Sequence, residues 1–381
     1  MSENIYLDNA ATTRMYKEVK EAMEPYLEDE YGNASTEYKL GEKAKKAIED
    51  AREKIAKAIS ANTGEIYFTS GGSESDNWAI KGVAGERKKE GKDIVTSMIE
   101  HHAVLNSCEY LEELGYKISY VKPDDKGWIN PLDVEKLMKK ETTLVSIMYG
   151  NNEIGTIEPV SEIGRIARKY GAVFHTDAVQ VVGQIPVDVR QLPVDMLSAS
   201  AHKFHGPKGI GFLYVRRNIS LPSFIHGGSQ ENGKRAGTEN VAGIVGMGKA
   251  IEIVTKEMEI NQRRQRMLRN TMVDMIMTQI PDVIYNGHPI KRLPGNVSVS
   301  FKGIDAGSLL IMLEENGICA SAGSACNTSD RSVSHVIKAI DVPEEYENGT
   351  IRFSIGTENT KDEIIKTVKI LKENVALLRK G

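Results

Sequence analysis

Lys203 stands between two histidines in Ser198-Ala199-Ser200-Ala201-His202-Lys203-Phe204-His205-Gly206-Pro207, at the end of an apolar run and ahead of a turn. An amine held off the surface there loses proton affinity through desolvation and can condense with a carbonyl, although the position equally suits a solvated loop lysine. Asp177 follows directly on the strand-like run Phe174-His175-Thr176 and either faces a cation or caps the next helix. In Thr69-Ser70-Gly71-Gly72-Ser73 a glycine pair and hydroxyls lie between a strand and the helical run from Trp78. Such a turn can present backbone N–H groups to an anion, or do no more than turn the chain. Lysine, carboxylate and anion turn together are the set that pyridoxal phosphate needs: an amine for its aldehyde, a carboxylate to keep its ring nitrogen protonated, and donors for its phosphate. A nicotinamide cofactor does not fit, because no G-x-G-x-x-G follows a strand, and there is no G-x-x-x-x-G-K-[ST] phosphate loop.

A second chemistry belongs to sulfur. Cys326 sits among small residues in Ala320-Ser321-Ala322-Gly323-Ser324-Ala325-Cys326-Asn327-Thr328-Ser329, a setting that leaves a thiol exposed and reactive. Cys319, which follows an apolar helix, is expected to be a packed core thiol. With Cys108 these are the three cysteines of the chain, an odd and sparse set that argues against a disulfide framework and suits a reducing compartment. No C-x-x-C pair supports a zinc site.

The elements that must position these groups follow from periodicity. Glu42–Ile59 is an amphipathic helix, with apolar residues at 44, 47, 48, 51, 55, 58 and 59 among lysines and glutamates. Seven β-rich runs then alternate with helical stretches: Ile66–Ser70, Ile94–Met98, Lys117–Val121, Leu144–Tyr149, Val173–Thr176, Met196–Ala199 and Gly211–Val215. That rhythm predicts an α/β domain around a mostly parallel sheet, with ligands at the carboxyl ends of its strands. From Ala242 to about Leu268 the chain reads as one helix bridging to a smaller α+β C-terminal domain, which has strands at Asn296–Phe301 and Thr350–Ile355 and helices at Ala306–Asn316, Val333–Ile340 and Lys361–Leu378. The expected division is an N-terminal segment 1–15 packing with the small domain, a large domain 16–255 and a small domain 256–381.

Bulk properties exclude other classes. The 381 residues carry 49 Lys+Arg against 53 Asp+Glu, a net −4 that recruits neither nucleic acid nor anionic lipid. No run of 18 apolar residues exists, and Met1–Leu7 lacks the regions of a secretory signal, so a cytoplasmic protein is expected.

The chain resembles the NifS/IscS-like cysteine desulfurases, pyridoxal-phosphate enzymes of the class V aminotransferase fold (fold type I). The resemblance runs over essentially the whole chain. It is carried by Tyr6-Leu7-Asp8-Asn9-Ala10-Ala11-Thr12-Thr13, the Gly72-Ser73 turn with Glu74-Ser75-Asp76-Asn77, Asn151-Asn152-Glu153-Ile154-Gly155, Asp177-Ala178-Val179-Gln180, Ser200-Ala201-His202-Lys203, Arg235-Ala236-Gly237-Thr238-Glu239-Asn240, Gly323-Ser324-Ala325-Cys326 and Ile351-Arg352-Phe353-Ser354. It implies that Lys203 holds the cofactor and moves the substrate Cα proton, Asp177 pairs with the ring nitrogen, Gln180 reaches the ring oxygen and His101 stacks on the ring and handles protons. Gly72, Ser73, Ser200 and His202 are implied phosphate ligands, with Thr238 supplied by the neighbouring subunit of a homodimer. Asn152, beside the cofactor, and Arg352 are implied to take the carboxylate of L-cysteine. Cys326 is implied to accept sulfur as a persulfide, leaving alanine, and to pass it to an acceptor protein for iron–sulfur cluster assembly or tRNA thiolation. No resident metal is implied; transient iron–sulfur ligation by Cys326 stays open.

Two departures from the family pattern stand out. Asn33-Ala34-Ser35-Thr36-Glu37-Tyr38 lacks the usual Pro and His, and Asn232 replaces an arginine before Gly233. The chain also ends at Gly381, without the longer tail with which housekeeping members dock a scaffold, which leaves the acceptor open. A selenocysteine lyase is the alternative within enzymes, and an aminotransferase gives Cys326 no role. A non-catalytic thiol or metal-binding module built on Cys319, Cys326 and His335 is the alternative outside them.

Overall fold

The computed structural model describes residues 4–322 and 333–380. A two-residue strand, β1 (Ile5–Tyr6), opens it. The central sheet follows, built from β2 (Ile66–Thr69), β3 (Asp93–Ser97), β4 (Lys117–Val121), β5 (Thr142–Ser146), β6 (Val173–Asp177), β7 (Met196–Ser200) and β8 (Gly211–Val215). Its seven strands lie in the order β2-β8-β7-β6-β5-β3-β4. The pairs β4·β3, β3·β5, β5·β6 and β6·β7 are parallel, whereas β8 runs antiparallel to both β7 and β2. Helices cover both faces, so central strands such as β6, β7 and β8 are buried at every residue and read as continuous runs instead of alternating ones. The order brings the carboxyl ends of β2, β3, β5, β6 and β7 to one edge.

The sheet is the α/β architecture that the seven runs predict. Two strands keep their predicted bounds and the others move by at most three residues; the largest difference is at β5, where Ile147–Tyr149 leave the regular ladder. Their amides still reach across: Ile147 donates to His175 and Tyr149 to Asp177, so the chain bends toward the sheet edge without losing its hydrogen bonds. The first amphipathic helix spans Lys39–Ala58, one turn earlier than its apolar stripe suggests, after an extended Tyr38.

A second group of strands comprises β9 (Val283–Tyr285), β10 (Asn296–Phe301), β11 (Ile318–Cys319) and β12 (Thr350–Ser354). β12, β10 and β9 form an antiparallel sheet in that order, and β11 pairs in parallel with β1. Beyond β1, Asp8 bridges to Ser354, so the N-terminal segment runs from this sheet toward the edge of the other. Cys319 is half-buried, not packed in the core as its sequence position suggests, because its side chain alternates outward from the buried Ile318.

One helix, Val241–Gln279, joins the two groups and is longer than its sequence pattern predicts. Ile244, Met247, Ile251 and Val254 pack into the core of the large sheet, and Leu268, Met272 and Ile276 into the core of the second group. Between them, residues 255–264 contribute no buried side chain, which is where the apolar periodicity fades. Among the described residues no helix is long and apolar enough to cross a membrane.

Candidate active site

The converging strand ends surround a cavity of about 380 Å³, within the range of about 300–1,000 Å³ usual for small-molecule sites. Gly72 and Ser73 enter it from the first turn of the Gly72–Glu86 helix, and His101 from the start of the His102–Glu113 helix. Asp177 and Gln180 reach it from the end of β6, Ser200, His202 and Lys203 from the end of β7, and Asn152 and Arg352 close the far side. Ten of the sequence-predicted site residues therefore share one cavity. Thr238 does not: it is exposed and lines a separate hollow with Tyr31, Asn33 and Asn240. Cys326 lies outside the described residues.

Lys203 follows β7 on a short 3-10 turn, and its Nζ donates to the carbonyls of Ala10 (2.6 Å) and Ala11 (2.8 Å). Gln180 donates to the same Ala10 carbonyl at 2.9 Å, and His202 shares a hydrogen bond with Thr12 at 3.2 Å. With Asp8 on Arg352, the N-terminal segment touches four of the predicted site residues. Burial, with Lys203 and Lys208 nearby, pushes His202 down to about 4, so its ring is neutral.

Asp177 is 5% exposed, and one of its carboxylate oxygens accepts from the Val179 amide at 2.9 Å. Burial raises its pKa, while His101 and Lys203 pull it down. Atoms of Asp76, His101 and Asp177 lie within 4.8 Å of one another. His101 Nδ1 accepts from the Ala103 amide at 3.1 Å, which leaves the proton of the neutral ring on Nε2, and burial keeps the ring neutral.

Pyridoxal phosphate fits these groups. Gly71 has φ +154°, and a Cβ added at Gly72 would lie 2.6 Å from Val179 Cγ2, so this helix start leaves room only for backbone, as close approach of a phosphate requires. Asp177, a desolvated carboxylate, calls for a cation, which a protonated ring nitrogen provides. Lys203, beside it, is the amine for the aldehyde.

Several groups that sequence reasoning passed over lie behind and beside this cavity. Asp76 is 1% exposed and one of its oxygens has no hydrogen bond; burial first, then Asp177, holds its pKa well above the usual carboxylate range. His175, 3.6 Å from it, lies between the hydroxyls of Ser146 and Ser198 at 2.9 Å each, and burial pushes it down to about 3. Glu100 accepts from the Ser97 hydroxyl (2.5 Å) and the Met148 amide (3.0 Å), and burial, aided by Asp177, pushes it up to about 8. Burial thus disfavours the charged form of both acids, Asp76 and Glu100. Asp76 belongs to the Glu74-Ser75-Asp76-Asn77 run, and its place four residues after Gly72 on one helix was the available signal. On the opposite side, Arg352 donates to Asp8 Oδ1 at 2.7 Å and to the Asn152 carbonyl at 3.1 Å.

The aminotransferase class-V family model matches residues 5–366. The cysteine desulfurase IscS of Dictyoglomus turgidum is 51% identical over 379 residues, covering 100% of this chain and 96% of the relative. A solved NifS-like protein superposes with a TM-score of 0.92 at 38% identity, covering 98% of this chain and 100% of that one. SspA in complex with cysteine superposes with a TM-score of 0.83 at 37% identity, covering 93% and 100%. A cavity that joins a lysine, a buried aspartate and a glycine cradle at the edge of this sheet, together with these likenesses, places the chain in the aminotransferase class-V family, among the IscS- and NifS-like cysteine desulfurases.

Proposed function

We propose that the protein is a pyridoxal-phosphate-dependent cysteine desulfurase that converts L-cysteine to L-alanine and leaves the sulfur as a persulfide on Cys326. The observation that carries this reading is the meeting of Lys203, Asp177 and Arg352 in one cavity. Lys203 and Asp177 would hold the cofactor by its aldehyde and ring nitrogen, with the Gly72–Ser73 turn, Ser200 and His202 at its phosphate and Gln180 and His101 at its ring. When bound, the cofactor supplies an electron sink for the substrate Cα.

The chain's own residues do the rest. Arg352 and Asn152 orient the substrate carboxylate, with the guanidinium offering paired donors. Lys203 would take the substrate Cα proton and return it later, and His101 would move protons through Nε2. The Cys326 thiolate attacks the substrate sulfur: an S–S bond forms, the Cβ–S bond breaks with its electron pair left on the carbon side, and protonation there completes alanine.

Thr238, exposed and outside its own chain's cavity, suits delivery to a second copy, so the reading includes a homodimer. It also includes the segment 1–15 and the units 16–255 and 256–381, a cytoplasmic setting, and an acceptor protein that passes the sulfur to iron–sulfur clusters or thiolated tRNA. The test is release of sulfide and alanine from L-cysteine with a reductant, for wild type and Cys326→Ser, with the visible spectrum recorded. Wild type is expected to yield both products and the variant to bind cofactor but yield neither; equal behaviour of the two removes Cys326 from the mechanism.

A further inference from the structure

We propose that Asp8 is a resident counterion of Arg352 that competes with the carboxylate of an incoming ligand, and so sets how tightly substrate and product are held. The inference rests on the reading of Arg352 as the carboxylate anchor. Arg352 lies on β12 and is 1% exposed, yet it lines the cavity. A guanidinium withdrawn from water needs a negative partner, and Asp8 Oδ1 provides one at 2.7 Å before any ligand arrives.

Asp8 is not a loose arm that swings in. Its neighbours are fixed on both sides: the Leu7 amide donates to the Cys319 carbonyl (2.9 Å), the Ser354 amide to the Leu7 carbonyl (2.6 Å), and the Asn9 side chain to the Ser354 carbonyl (2.8 Å). The Tyr6 hydroxyl bridges the carbonyls of Asp8 and Thr12 at 3.1 and 2.8 Å. The carboxylate itself keeps 18% of its side-chain surface exposed, against 2% for the Arg352 side chain it pairs with. Glu153 also lies near Arg352; burial raises its pKa, and the Ser334 hydroxyl and Arg352 lower it.

A ligand carboxylate arriving at Arg352 therefore joins one already there. The local charge of the Asp8–Arg352 pair goes from zero to −1, and repulsion between the two anions opposes binding. Removing the charge of Asp8 removes that repulsion, while Arg352 keeps its bond to the Asn152 carbonyl. Alanine carries the same carboxylate as cysteine, so the competition loosens the product as well as the substrate.

The test is calorimetric titration of the cofactor-loaded wild type, Asp8→Asn and Asp8→Ser with L-alanine, and with ethylamine, which is alanine without its carboxylate. The neutral variants are expected to bind L-alanine at least about fivefold more tightly, because the repulsion between the two carboxylates is gone. Ethylamine binding is expected to stay within about twofold of wild type. Unchanged or weaker L-alanine binding overturns the proposal, as does an equal shift for ethylamine, which marks a merely structural role, and as does failure of both variants to fold. A wild type that binds no L-alanine and releases none from L-cysteine overturns the functional reading instead.

Discussion

The hydroxyl of Ser334 donates to the Glu153 carboxylate at 2.5 Å, tying the start of the His335–Ala339 helix to the loop that carries Asn152. The same hydroxyl accepts from the Val336 amide at 3.1 Å and so caps that helix. Burial raises the pKa of Glu153, and the bond from Ser334 lowers it.

Ser334→Ala removes both interactions. The loss of a cap costs about 1 kcal/mol and of a hydrogen bond to a buried acid about 1–3 kcal/mol, so a destabilisation of about 2–3 kcal/mol is expected by urea unfolding. Ser334→Thr keeps the hydroxyl and is expected to recover most of it. A variant as stable as wild type would show that solvent replaces the contact.

Glu100 gives a pH dependence whose sign follows from its displacement. Its pKa rises from the 4.5 of an ordinary glutamate to about 8 in the folded protein, burial being the main cause. The folded state then holds a proton that the unfolded state has lost between those values, so this contribution is fully present below pH 4.5 and disappears as the pH rises toward 8. The slope is about −1.4 kcal/mol per pH unit across that window. Glu100→Gln is expected to flatten the unfolding free energy measured from pH 5 to 8 by that amount; parallel curves for the two proteins would place the titration elsewhere.

Arg292 holds the active-site loop from behind. It is 2% exposed, donates to the Ile154 carbonyl at 2.5 Å and to the Asn286 carbonyl, and lies 4.0 Å over the Tyr285 ring. Among the described residues no carboxylate pairs with it, and burial lowers its pKa to about 10. Arg292→Met removes a costly buried charge but strands two carbonyls, each worth about 1–3 kcal/mol. The second effect is the larger, so a net loss of about 2–4 kcal/mol is expected by denaturation. Because Ile154 lies two residues from Asn152, the KM for L-cysteine is expected to rise more than kcat falls.

The sequence made Lys203, Asp177 and Gly72 legible because each combines a distinctive chemistry with a position at the end of an apolar run, where an α/β sheet puts its ligands. Asp8 and Glu153 offered no such signal. Each is one acid among many, and its importance lies in a contact with residue 352 or 334 that no local spacing records. Glu100 precedes His101 but announces its burial only through Ser97 and Met148, which fold around it. β1 and β11 have two residues each, too few for alternation to be seen. The Val241–Gln279 helix reads as ending near Leu268 because residues 255–264 show no continuous apolar stripe, and the one that resumes at Leu268, Met272 and Ile276 faces a different core.

That helix has a mechanical consequence. Its 39 residues make a rod about 58 Å long, gripped at each end by a different core and bare between residues 255 and 264. A rod clamped only at its ends passes on twist and bending but does not melt as one piece. Amide exchange along it is therefore expected to be slow near Met247 and Met272 and quicker at Glu259, recording within a single element the separate cooperativity of the two cores it connects.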